Sequence, residues 1–150
     1  MSGSNVLSAD VVISGRQSTI HVAALPKQLQ EVLLTAFALE PHDAILSVKS
    51  VQLQSAVLLV NELYVIDIDR VEESPMFACV THIIQHEGIW SICGLLNVAV
   101  QFDLITDSYL LESCDEYVVL NVHELKTHHP VAKVHLTGDK IRTSLPYRVV

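Results

Sequence analysis

Four sets of residues in this chain have side chains suited to chemistry, and each falls short of a complete reactive centre. The first is Cys79-x-x-His82-x-x-x-His86, with Cys93 following. Thiolates and imidazoles bind zinc, and the separations resemble those of a structural zinc site. Strand geometry spoils the match, because alternation sends Cys79 and His82 to opposite faces. A two-residue turn at Glu87-Gly88 sets His82 across from Cys93, which makes a pair of ligands and not four. These are read as strand residues, with no metal. The second set, His123, His128, His129 and His135, surrounds Pro130. Such clusters can bind metal or sense pH. Glu124 follows His123, but Thr127 stands where HExxH needs its second histidine. A surface loop is the expectation.

The third set is Asp67, Asp69, Glu72 and Glu73. Paired acids can do acid–base work, and Asp67 and Asp69, two apart, share a strand face. No nucleophile motif lies near them. The chain has no GxSxG, P-loop or GxGxxG, and only five glycines. A solvated strand edge is expected, with no catalytic residue and no cofactor. The fourth set is aromatic: Tyr64, Phe77, Trp90, Phe102, Tyr109, Tyr117 and Tyr147. Small barrels can gather rings into a cage for methylated lysine through cation–π attraction. Tyr64, Phe77 and Trp90, rimmed by Asp67 and Asp69, are the candidate partner-binding residues. The plainer alternative is that the rings fill the core.

The elements that must hold these residues are mostly extended. One helix stands out at about 26–39. Pro26 suits a first turn, and Leu29, Val32, Leu33, Ala36 and Phe37 form one apolar stripe. Pro41 stops it. This stripe should pack on the body; failing that, Leu29, Val32, Leu33 and Phe37 are the self-association surface. Before the helix, Val11 to Ile13 and Thr19 to Ala23 read as short strands around a turn at Ser14-Gly15. After Pro41, apolar runs rich in Val, Ile and Leu recur with turn signals every eight to twelve residues. Separate short strands are expected over Phe77–Gln85, Ile89–Cys93, Leu95–Phe102, Ser108–Ser113 and Tyr117–Val122, with turns at Asn61-Glu62, His86-Glu87-Gly88 and Thr137-Gly138-Asp139. Their sum is a mainly β fold, a small barrel-like or sandwich domain with one packed N-terminal helix.

Totals bound the rest. The 150 residues suit a single domain, with a loose 1–10, a strand and helix segment over 11–45 and a β body over 46–150. Half the residues are hydrophobic and 17% are charged, against a usual charged share of about 25%. Some apolar surface is therefore expected to meet a protein partner, which could be a second copy. The formal net charge is −8, and no Lys or Arg occurs from Val71 to Leu125. That acidic middle argues against direct nucleic-acid binding. These charges are expected to form a solvated surface; the sharper alternative is that the basic C-terminal segment, with Lys133, Lys140 and Arg142, docks on an acidic face of this chain or a neighbour. Three cysteines make no disulfide framework and point to a reducing, intracellular compartment. The longest apolar run, Ala56 to Val60, is too short to span a bilayer, and the start shows no leader, so no membrane is expected.

Several stretches resemble a known family. They are Pro75-Met76-Phe77, the hairpin ending at Trp90, Phe102 through Asp107-Ser108-Tyr109-Leu110-Leu111, and above all Val122-His123-Glu124-Leu125-Lys126-Thr127-His128-His129-Pro130, followed by Thr137-Gly138. Together they make roughly residues 50–150 similar to the C-terminal β domain of transposon-derived animal proteins, which often carry zinc fingers upstream. Where those relatives often have glycine at the early turns, this chain has Gln54 and Asn61. The resemblance implies a nuclear, mobile-element-derived protein and no activity. The strands around Phe77 and Trp90 are also similar, at fold level alone, to bromo-adjacent-homology and Tudor barrels. The expected function is a non-catalytic protein-interaction module that self-associates. The alternative is a methylated-peptide reader with an aromatic pocket.

Overall fold

The computed structural model describes residues 12–53, 56–69, 74–125, 129–136 and 140–144, without the side chains of 12–15 and 68–69. The expected loose start and the turn at Thr137-Gly138-Asp139 lie outside the described residues. Nine strands and one α-helix follow in order: β1 (Val12–His21), α1 (Lys27–Phe37), β2 (Ala44–Gln52), β3 (Val57–Leu59), β4 (Leu63–Asp69), β5 (Ser74–His86), β6 (Ile89–Asp103), β7 (Ser108–Asn121), β8 (Ala132–His135) and β9 (Lys140–Ser144). All pair antiparallel in one sheet, ordered β1-β2-β5-β6-β7-β9-β8, with β3 on β2 and β4 on β5. An isolated bridge from Leu63 to Val131 brings the β8 end back to β4. The sheet thus curls into a half-barrel, as the mainly β reading expected.

Helix α1 runs where the apolar spacing placed it. The Pro26 carbonyl accepts from the Gln30 N–H at 3.0 Å. The helix ends earlier than Pro41 alone implies. Ala38 takes left-handed angles (φ 57°), its N–H returns to the Leu34 carbonyl, and the Leu39 N–H returns to Leu33. This closure lets Leu39 fold back on Leu33. Leu29 and Leu33 are fully buried against Ile45, Ile84 and Cys93, while Val32 and Phe37 are half-buried. Burial of each leucine stabilises the docked helix by about 2 kcal/mol. Of the stripe Leu29, Val32, Leu33 and Phe37, the two leucines are thus packed inside the chain, the placement expected ahead of the self-association alternative.

Several expected short strands are joined into long ones. Ser14-Gly15 is not a turn: β1 continues through it, with Gly15 and Arg16 opposite Lys49 as a bulge. Val22 and Ala23, expected as extended, lie instead in a 3-10 turn, Val22–Ala24. Strand β6 is continuous where two pieces were expected. Strand β7 joins the expected Ser108–Ser113 and Tyr117–Val122 pieces, ending at Asn121 with Val122 already in a 3-10 turn, through a bulge at Cys114–Glu116, with Asp115 at φ 54°. A bulge bends a strand and raises its twist without ending it. That is how β5, β6 and β7 wrap a curled sheet at 13, 15 and 14 residues.

Three apolar clusters result. One face carries Val48, Val51, Leu58, Tyr64, Ile83, Trp90 and Ile92. The other carries the helix cluster at one end and Leu63, Val65, Phe77, Leu111, Val131 and Ile141 at the other. The Glu87-Gly88 hairpin forms as expected, both residues at positive φ. Asn61 takes φ 76° at the turn before β4, a conformation asparagine tolerates. Basic residues of the C-terminal segment pair with acids of the same chain: Lys133 with Glu62, Lys140 with Glu112 and Arg142 with Asp103, at 3.7–3.9 Å. Such partly exposed pairs contribute at most about 1 kcal/mol each.

Candidate interaction surface

The hairpin joining β6 to β7 is built to stay rigid. Asp103 ends β6, and its Oδ1 accepts the N–H groups of Ile105 at 2.9 Å and Thr106 at 3.3 Å. Those bonds, with the Arg142 guanidinium nearby, hold its carboxyl below the usual range. A carboxylate that receives two backbone donors turns the chain sharply. Asp107 completes the reversal at φ 52°. Thr106 Oγ1 and Ser108 Oγ share a hydrogen at 2.7 Å, and an Arg142 guanidinium N–H donates to Ser108 Oγ at 2.9 Å.

This stitched base carries an apolar tip. Leu104 is 86% exposed and Ile105 is 94% exposed. Below them Phe102 is partly exposed and tilts on Tyr109, with ring centroids 4.8 Å apart. Tyr109 in turn meets Phe77 at 6.5 Å. Single exposed apolar residues are ordinary on protein surfaces. Two adjacent aliphatic side chains, almost wholly in water on a braced turn, mark an interaction site far more strongly. The sequence pattern assigned strands up to Phe102 and from Ser108, with Phe102 and Tyr109 among the aromatic residues, and gave Leu104 and Ile105 no role. The run Phe102-Asp103-Leu104-Ile105 offered a signal in Asp103, which commonly caps such a turn.

The residues singled out from sequence do not assemble. Tyr64 and Phe77 are fully buried on opposite faces of the sheet, Tyr64 facing Ala78 and Phe77 facing Val65. Trp90 is 3% exposed in the cluster with Tyr64. The Tyr64 hydroxyl is already engaged, accepting the Leu59 N–H at 3.0 Å. An aromatic cage needs open, converging rings, so Tyr64, Phe77 and Trp90 form no peptide pocket here. Asp67 is exposed on β4; the Asp69 side chain and Glu72 and Glu73 lie outside the described residues.

His82 sits across from Cys93, as the two-residue turn required. The expectation that Cys79 and His82 face opposite ways is corrected. Thr81 is bulged between Val80 and His82, so Cys79 pairs with Leu95 and His82 with Cys93. Leu95 and Cys93 share a face, and so do Cys79 and His82. Among the described residues, no three His, Cys, Asp or Glu side chains converge as metal ligands. His123, His129 and His135 are exposed on separate segments, and His128 lies outside the described residues.

Thiol reactivity should follow burial. Cys93 is fully buried, and burial pushes its thiol up to about 12. Burial also raises Cys79, as does Glu62, against the lowering effect of Lys133. Exposed Cys114 is raised by slight burial and by Glu116, Glu112 and Asp115. The thiolate is the nucleophile. Iodoacetamide on the folded protein at neutral pH should therefore modify Cys114 first, Cys79 more slowly and Cys93 only after denaturation. Peptide mapping by mass spectrometry reads the order.

Comparison with known proteins returns no match: no family model, curated protein or solved structure matches this chain. No helix among the described residues is long and apolar enough to cross a membrane.

Proposed function

We propose that this chain is a non-catalytic protein-interaction module that self-associates, part of a mobile-element-derived nuclear protein. The observation that carries the interaction role is the exposed Leu104-Ile105 pair on its braced turn. The flanking Asp103 and Asp107, in a chain of net charge −8, disfavour an anionic lipid surface and favour a protein pocket. The sparse charge of the chain points the same way. The mobile-element origin and nuclear setting rest on the resemblance carried by Val122 to Pro130 and its companion stretches.

Light scattering across a concentration series tests the reading. Wild-type protein should grow in apparent mass with concentration. The double variant Leu104→Ser, Ile105→Ser should remain monomeric. Its stability should change by no more than about 0.5 kcal/mol, as for other exposed positions. A wild-type protein that stays monomeric throughout rejects self-association and leaves the tip for a different protein.

A further inference from the structure

A second feature lies far from the hairpin tip, where β1, β2 and β5 meet the 3-10 turn before α1. A cavity of about 310 Å³ opens there, walled by Arg16, Ser18, Ser47, Lys49 and His82. That volume falls at the small end of the range for organic-ligand sites. Its charge is opposite to that of the chain. Two of the nine Lys and Arg residues line it, and no carboxylate does. Lys133, Lys140 and Arg142 each have an acidic partner. Arg16 and Lys49 form no ion pair among the described residues.

The neutral groups are arranged for the same purpose. Ser18 and Ser47 are direct cross-strand partners, so their hydroxyls stand side by side. The Thr81 hydroxyl donates to the Cys93 carbonyl at 3.2 Å. Its single hydrogen is thereby used, so at 2.9 Å it accepts from His82 Nδ1. That bond fixes the ring as the Nδ1–H tautomer, so Nε2 is an acceptor and His82 acts as a wall of the cavity with no donor for the anionic head. Ile20 and Leu25 supply an apolar wall. Arg16, two residues before Ser18 and opposite Lys49, reaches the same rim at the β1 bulge.

We propose that this cavity binds a small organic anion, with a carboxylate or phosphate head and a short apolar body. Arg16 and Lys49 neutralise the head, the Ser18 and Ser47 hydroxyls donate to it, and Ile20 and Leu25 cover the body. The site is independent of the self-association reading, since it shares no residue with the hairpin tip.

Amide-detected NMR titration of the full chain tests it, with phenyl phosphate and benzoate as probes. Inorganic phosphate serves as the head alone and benzyl alcohol as the body alone. At least one of the two full probes should bind about tenfold or more tightly than either fragment. Shifts should concentrate at Ser18, Ser47, Lys49 and His82. The double variant Arg16→Ala, Lys49→Ala should weaken that binding at least about tenfold. Both side chains are exposed, so its thermal midpoint should match wild type. Any of these outcomes overturns the proposal: no shifts from either full probe at millimolar concentration, equal binding by the double variant, or shifts spread over Lys27, Lys133 and Lys140 as well. Binding of a glutamate-rich peptide in place of both probes overturns it too, and assigns the cavity to a protein partner.

Discussion

Phe77→Ala should cost about 4 kcal/mol of folding free energy, among the largest effects of any single truncation in this chain. The ring is fully buried between Leu63, Val65, Leu111, Val131 and Ile141. Its removal subtracts the transfer free energy of a large apolar side chain. It also leaves a hole that the strands around it can only partly collapse. For a domain of this size, the thermal midpoint should fall by roughly 10 °C. The experiment separates two views of the residue. An aromatic wall of an open peptide pocket could be truncated with little loss of stability and a large loss of binding. A core residue behaves the opposite way. Urea unfolding of wild type and Phe77→Ala decides between them, and an unchanged midpoint contradicts the burial described here. Because Phe77 supports Tyr109 and Tyr109 supports Phe102, the variant should also loosen the base of the exposed hairpin. Self-association should weaken with it, even though Leu104 and Ile105 are untouched.

Gly94→Ala should be nearly as damaging, at about 3 kcal/mol, for the reverse reason. Gly94 lies opposite Val80 on β5 and Val118 on β7. A Cβ added there would stand 2.7 Å from the Cys79 carbonyl oxygen, 3.1 Å from its carbon and 3.3 Å from the Ala78 Cβ. The nearest obstacle is backbone, which cannot swing aside as a side chain can. Relief therefore requires β5 and β6 to separate where all three long strands are hydrogen-bonded. The lower backbone entropy of alanine in the unfolded chain offsets only part of this, about 0.4–1 kcal/mol in the opposite direction. Thermal and urea midpoints measure the loss. A wild-type midpoint would mean that the two strands do not approach this closely.

A bulge beside Gly94 explains why Cys79 and His82 share a face that strand alternation denies them. Alternation along β5 is a sound rule for an unbroken strand. Beside Gly94 the strand takes in one extra residue, Thr81, and every side chain beyond it changes face relative to those before. His82 therefore joins the face of Cys79, turns toward β2 and lines the cavity with Lys49. Nothing in the run Cys79-Val80-Thr81-His82 announces this, since each residue fits a regular strand. The aromatic residues were misplaced for a related reason. Tyr64 and Phe77 are drawn to the interior by their area, but the interior has two sides, and only the register of β4 on β5 assigns one ring to each.

What the amino-acid sequence determined by itself is what neighbouring residues impose on one another. Helix α1 follows from the spacing of Leu29, Val32, Leu33 and Phe37 after Pro26. The Glu87-Gly88 turn follows from backbone angles that glycine adopts freely, and it sets His82 opposite Cys93. The extended, mainly β character follows from branched apolar runs between turns. The tertiary structure alone decided the rest. It joined short segments into long bulged strands, buried the helix stripe in the same chain, split the aromatic residues between two faces and left Leu104 and Ile105 in water. A bulge, or a choice of face, depends on how distant strands fit when the sheet curls. That fit is a property of the packed whole and has no counterpart in the local pattern.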